Sequence, residues 1–355
     1  MSTAHERPGV YSSYDVSSVV SGGRANKVIG VAARAVRGTA LKEETLTGYA
    51  SGVSIFGEDV SGSPGMSTLL RLAFANGGGT VKAVAVDGGG TAADYAAAFA
   101  VLSQDESVQI LICDSADETV QQKLRDSAAA ASESRRERIA VVGGSGETAA
   151  ELVSHAAKLN SERVVLVGPD VLDTSGTELP AVFAAAAVAG AIAVQSDPAV
   201  PLNGVELKGL GGLAGNYSDS EVDLLVRGGV VPLESVSGRV MPVRGVTTRT
   251  TTGGTADATW RELTTVLIVD DVIPAVRNAL RSKFTRTKNT AQTRSAIRSQ
   301  VIVELEKKAA AQIIDGYGEV TAEASEDDPT VCLVSFHFTV AHGLNQIWLT
   351  AHIAV

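Results

Sequence analysis

The residues best suited to chemistry form a turn, Gly143–Gly144–Ser145–Gly146, between an apolar run and a helical pattern. Backbone amides at such a helix start can cradle a phosphate. The spacing matches neither nucleotide motif: G-x-G-x-x-G is missing, and no Lys–Ser/Thr pair follows as in a P-loop. A tight strand-to-helix turn needs glycine anyway, so the structural reading of this turn is favoured. Gly77–Gly79 and Gly88–Gly90 flank the run at Val81 and read as turns too. The nucleophile elbow G-x-S-x-G is also absent, so Ser145, His155 and a distant carboxylate make no triad.

The five histidines, His5, His155, His337, His342 and His352, include no i, i+4 pair for zinc. His337 and His352 fall on the polar sides of alternating segments, where solvent or interface contacts are expected. Cys113 and Cys332 lie within apolar strands and read as inert core residues, and two cysteines in 355 residues exclude a disulfide scaffold. Asp270–Asp271 reads as a helix cap and Glu326–Asp327–Asp328 as a solvated loop. No metal and no cofactor are expected.

Charge is the stronger signal. The chain carries 30 Lys+Arg against 40 Asp+Glu, a net −10. From Val272 to Val303 there is no acidic residue but seven basic ones: Arg277, Arg281, Lys283, Arg286, Lys288, Arg294 and Arg298. The overall acidic field argues against general nucleic-acid binding. A solvated face usually mixes signs, so an island of one sign implies an anionic partner.

A 45% share of hydrophobic residues supplies a large core and excludes disorder, while 4% aromatics offer little to line a small-molecule pocket. The longest apolar run, Ala181 to Val194, falls short of the about 20 residues a spanning helix needs. It reads as a buried helix, with no membrane insertion. The start, MSTAHERPGVY, lacks a secretory pattern, so synthesis and assembly in a cytoplasm are expected. Runs at Val28–Ala33, Val81–Val86, Val108–Cys113, Ile139–Val142 and Val164–Val167 alternate with helical patterns. One such helix opens at Thr91 with Asp94, and another at Ser115 with Glu118 as a capping box. This predicts a mostly parallel sheet with helices on its faces. Val230–Val236 and Arg239–Val246 read as strands, and Thr247–Thr255 as a linker. Beyond it, Leu263–Val269 is expected as a strand, Asp271 as a cap with Pro274 in the first helical turn, and Thr290 as the cap of a longer helix to about Ile314. Cys332, Val334, Phe336, Phe338 and Val340, then Ile347, Leu349, Ala351, Ile353 and Val355, alternate with polar residues, so each set has one buried face. Residues 1–26 hold only scattered apolar points, among them Val10, Tyr11, Tyr14 and Val16, too few to fold alone.

Several stretches together resemble a known family. These are ERPGVY near the start, SIFG at 54–57, LLRLAFANGGGTVKAVAV at 69–86, DPAVPLNGVELKGLGGL at 197–213, and the run from VIPAVRNALRSKF at 272 to the closing strands. In order and spacing they look like a contractile tail sheath protein of phage tails, phage-tail-like bacteriocins or related injection systems. The resemblance implies a structural, non-enzymatic subunit that polymerises helically around an inner tube and contracts to drive it through a target envelope. It implies an α/β fold: an outer α/β domain (27–246) with a mostly parallel sheet, and an inner α+β domain (247–355), joined by an N-terminal arm (1–26). Both termini would act as arms that add strands to neighbours, through Val10, Tyr11, Tyr14 and Val16 at one end and Ile347, Leu349, Ala351, Ile353 and Val355 at the other. The basic island would face the inner tail tube protein, and baseplate and tail terminator proteins would be further partners. The rival reading is a nucleotide-binding α/β enzyme using the Gly143–Gly146 turn.

Overall fold

A computed structural model describes residues 26–345. Short apolar runs bounded by turn residues build most of one eight-stranded sheet, and a more polar strand, Glu43–Leu46, adds an edge. Its strands are β1 (Val28–Ala33), β2 (Glu43–Leu46), β3 (Val81–Ala85), β4 (Val108–Cys113), β5 (Ile139–Gly143) and β6 (Val164–Gly168), joined by two later ones. A three-stranded sheet of β7 (Val171–Asp173), β8 (Glu178–Leu179) and β9 (Leu210–Leu213) lies between. The main sheet is completed by β10 (Val230–Val236) and β11 (Arg239–Pro242), in the order β11-β10-β6-β5-β4-β1-β3-β2. The six inner strands run parallel, and the edge strands β2 and β11 are antiparallel.

Strands covered on both faces must be apolar on both. Ile29, Val31, Ile110 and Ile112 face one core, with α1 (Tyr49–Phe56), α2 (Met66–Ala75) and α6 (Ala181–Val194). Ala32, Val108, Leu111 and Cys113 face the other, under α3 (Ala92–Gln104), α4 (Glu118–Glu133), α5 (Ala149–Leu159) and α7 (Asp219–Arg227). Helix α6 is apolar all round and buried along nearly its whole length. Its small side chains let neighbouring backbone come close. A Cβ on Gly143 would sit 2.3 Å from the backbone of Ala181 and Val182, and one on Gly190 would sit 2.6 Å from the Ala73 carbonyl oxygen.

The remaining elements are a small hairpin, β12 (Thr251–Thr252) with β13 (Thr255–Ala256), and a C-terminal unit. That unit pairs α8 (Leu263–Phe284) with α9 (Ala291–Ala310) over two antiparallel ribbons. These are β14 (Ile314–Tyr317) with β17 (Phe338–Val340), and β15 (Thr321–Ala324) with β16 (Cys332–Ser335). Its own core contains Ile268, Val272, Val276, Val301, Leu305 and Ile314. Phe336 and Phe338 pack against that core while Ser335, His337 and Thr339 are exposed, as the alternation predicts.

Four local expectations change. Leu263–Val269 is not a strand but the opening of α8: Leu263, Val266 and Leu267 enter the sheet core, and Ile268, Val272 and Val276 the C-terminal core. Two cores on one helix make its first turns apolar all round, which hides the helical period. Asp270 and Asp271 therefore lie inside a helix rather than capping one, and Pro274 lies in its interior. Helix α4 is capped by Asp117, whose carboxylate accepts from Thr119 N at 2.8 Å, instead of by Ser115. The Thr/Gly segment starts as packed structure, not as a linker. Thr247 and Thr248 are fully buried, and Thr248 N donates to Val164 O at 2.9 Å.

Candidate assembly surfaces

In open parallel sheets, ligands bind beyond the carboxyl ends of the strands, where the strand order reverses. Here that point lies at β1, flanked by β3 and β4. Asp114, just after β4, has a buried carboxylate that accepts from Arg34 Nε at 2.8 Å and from the Tyr95 hydroxyl. Burial and this carboxylate push the Tyr95 phenol well above its ordinary pKa.

The helix N-termini nearby hold the chain's own carboxylates. Asp59 accepts from the amides of Gly65, Ser67 and Thr68 at the start of α2. Asp94, Glu151 and Glu221 close capping boxes with Thr91, Thr148 and Ser218. At the Gly143–Gly146 turn, Asp170 accepts from Gly146 N at 2.7 Å and from Ala181 N at 2.8 Å. One carboxylate thus holds both the Gly146 amide and the N-terminus of α6, the Glu151 capping box closes the α5 N-terminus that follows the turn, and Gly143 serves close packing against α6. His155 is buried and pairs through Nδ1 with Glu147 at 3.1 Å, not with Ser145. Cys113 is inert as expected, because burial pushes its thiol up to about 12. Cys332 is only half-buried. Among the described residues, no group of His, Cys, Asp and Glu could hold a metal, and no helix is long and apolar enough to cross a membrane.

The basic island is not one surface. Arg277 turns to the sheet domain, where its Nη2 meets Glu137 Oε1 at 2.6 Å and its Nη1 donates to Arg135 O at 3.2 Å. Burial alone would raise the Glu137 carboxyl, but the bonds from Arg277 and its own amide hold it below the usual carboxylate range. Arg294 donates to Asn289 Oδ1 at 3.0 Å, Arg298 to Val320 O at 2.7 Å, and Lys283 to Gln300 Oε1 at 2.5 Å. Arg281, Arg286 and Lys288 are exposed, with no side-chain partner among the described residues. Five of the seven side chains are exposed (Arg281, Lys283, Arg286, Lys288 and Arg298), clustered about the α8–α9 connection.

The sequence reading missed the opposite pole. Asp315, Glu319, Glu323, Glu326, Asp327 and Asp328 follow with no Lys or Arg from Ala309 to the end. The two poles adjoin: Asn289 Nδ2 donates to Pro329 O at 2.8 Å and Val331 O at 3.1 Å. A count of charge over the last fifty residues, taken separately from the island, would have revealed it.

The described chain begins and ends beside the junction of the two units. Lys27 N donates to Ala193 O at 3.0 Å, and Asn26 and Lys27 line a cavity of about 140 Å3 with Glu137, Gln195, Leu267 and Asp270. At the other end Asn345 accepts from Asn203 Nδ2 at 2.9 Å. The residues expected as arms, Val10, Tyr11, Tyr14 and Val16 and the alternating set from Ile347 to Val355, lie outside the described residues.

Comparison with known proteins gives this geometry a context. The phage tail sheath protein central domain matches residues 88–248, and the phage tail sheath C-terminal domain matches residues 255–354. A tail sheath protein of Bacillus phage SP01 is 32% identical over 226 residues, which span 61% of this chain and 38% of that relative. A chain of the anti-feeding prophage baseplate structure shares the fold with a TM-score of 0.75 at 16% identity, over 99% of this chain and 100% of that one. A chain of the anti-feeding prophage helical sheath in its contracted state gives 0.71 at 16% identity, over 98% and 99%. The matched stretch covers well under half of the phage SP01 protein, whereas the structural matches run end to end. Two adjoining domain models of one family, in the order of the two units seen here, account for most of the sequence: the chain belongs to the phage tail sheath family.

Proposed function

We propose that this chain is the structural subunit of a contractile sheath, polymerising helically around an inner tube and contracting to drive that tube through a target envelope. The observation that carries the reading is the ordered pair of sheath-family matches at 88–248 and 255–354. The enzyme reading finds no support at the Gly143–Gly146 turn, where Asp170 holds the Gly146 amide and the Glu151 capping box closes the α5 N-terminus, and a non-enzymatic role follows from the family. The chain would act in a phage tail or an extracellular tail-like particle after assembly in a bacterial cytoplasm.

The partners in this reading are further copies of the chain, the inner tube protein, baseplate proteins and a tail terminator. Residues 27–246 form the outer domain; residues 247–355 with the 1–26 arm form the inner one. Both ends of the described chain border the junction of the units, which suits arms that reach neighbours. An added strand contributes main-chain hydrogen bonds worth about 0.5–1.5 kcal/mol each, enough in series to keep copies linked while domain faces repack. The exposed cations Lys283, Arg286, Lys288 and Arg298 would face the tube, while Arg277 and Arg294 are held by bonds within the chain. Exposed ion pairs are worth about 0–1 kcal/mol and are screened by salt, which suits a contact broken on contraction.

Negative-stain microscopy of the purified full-length chain tests the reading. Rings or tubes are expected. Discrete particles whose melting responds to nucleotides would favour the enzyme instead.

A further inference from the structure

A cleft of about 1090 Å3 opens between the sheet domain and α8. It is lined by Pro274 and Ala275 together with Arg135, Arg136 and Arg281. The carboxylates within it are matched from inside the molecule: Glu137 by Arg277, Asp270 by Arg163 and Asp271 by Lys308. Of the acidic side chains lining it, Glu106 alone has no ion pair among the described residues. Arg135 and Arg281 have no side-chain partner among those residues, and Arg136 is held only by a bond to Ser103 O. The cleft is therefore left with a surplus of positive charge.

The acidic hairpin between β15 and β16 is complementary in sign and character. Glu323, Glu326, Asp327 and Asp328 are exposed and make no ion pair among the described residues, and Val331 and Leu333 beside them expose apolar surface, Leu333 at 56%. Within one copy the hairpin is tied to Asn289 beyond the far end of α8, and from Ala275 in the cleft to Phe284 the helix alone spans about 14 Å.

We propose that the Glu323–Asp328 hairpin of one copy docks in the Arg135/Arg136/Arg281 cleft of the next. This rests on the sheath reading. The two surfaces differ, so the contact is heterologous, and contacts of that kind propagate into rings or helices instead of closing as a dimer.

The test uses the full-length chain. Arg135→Glu and Asp327→Arg change exposed side chains that bond nothing internal, and thermal melts should match the wild type. Each alone is expected to cut the sedimentable assembled fraction several-fold, and the double variant to recover it to within about twofold. In a Cys332→Ser background, Arg135→Cys with Asp327→Cys should oxidise to a ladder of linked chains. Wild-type tubes with unaffected single variants, or with no recovery and no ladder in the double ones, overturn the docking and leave the sheath reading standing. A wild-type chain that forms no assemblies overturns the sheath reading, and this contact with it.

Discussion

Arg163, the residue before β6, places Nη1 at 2.7 and 2.5 Å from the two carboxylate oxygens of Asp270 on α8. With Arg277–Glu137 it ties the C-terminal unit to the sheet domain, and the two ties run in opposite senses of charge. Burial raises the Asp270 carboxyl to about 6, more than the nearby Arg163 charge lowers it. Between its ordinary value of 3.8 and about 6 the folded chain holds a proton that the unfolded chain has lost. Stability should therefore be greatest below about pH 4 for this group and fall as pH rises through 6, by at most about 3 kcal/mol. Urea melts at pH 4, 5, 6 and 7 measure this, and Asp270→Asn should flatten the slope. An unchanged slope in the variant would assign the titration elsewhere.

Arg138 is fully buried and donates to the Leu102 carbonyl at 2.9 Å and to that of Asp105, closing the C-terminus of α3. Arg138→Met keeps the volume but strands both carbonyls. A loss of about 2 kcal/mol is expected, since bonds to a charged group count for more than neutral ones. A shifted urea midpoint with unchanged slope would show it.

Gly143 and Gly146 belong to one turn but should respond differently. A Cβ on Gly143 meets backbone at 2.3 Å, whereas one on Gly146 meets open space at a φ of +65°. Gly146→Ala should cost about 1 kcal/mol. Gly143→Ala should cost more than about 4 kcal/mol, a size seen only with gross steric conflict. Soluble yield and melting temperature separate them, and equal losses would contradict the close approach to α6.

Removing residues 346–355 should leave a monomer that melts as the full chain does but no longer polymerises. Circular dichroism and negative stain are the two readouts. Tubes of normal length from the truncated chain would remove the C-terminal arm from the assembly.

Reversing Lys283, Arg286 and Lys288 to Glu should weaken cosedimentation with the inner tube protein, and the wild-type contact should itself fade as salt rises. Retention at wild-type levels would place the tube contact on another face.

The parallel strands of the sheet domain were legible because each is a short apolar run closed by a turn, and Thr91 with Asp94 opens α3 as expected, whereas the edge strand β2, Glu43–Leu46, has only Leu46 buried and carries no such signal. Helix α8 was not, because Val266 and Leu267 answer to one core while Ile268 and Val272 answer to another. The basic island was visible as composition, but its division was not. Arg277 is spent on Glu137, 140 residues away in sequence, and Arg298 on the carbonyl of Val320. Only the fold brings such partners together, and it likewise sets the acidic hairpin beside Asn289.

Helix α8 also determines how the subunit carries load. Its 22 residues extend about 33 Å, with its first turns embedded beside Leu202 and Val246 and its middle turns, Val272 and Val276, in the core with Val301 and Leu305. A pull on the C-terminal unit reaches the sheet domain along a continuous rod, with no slack loop between them to take up the strain.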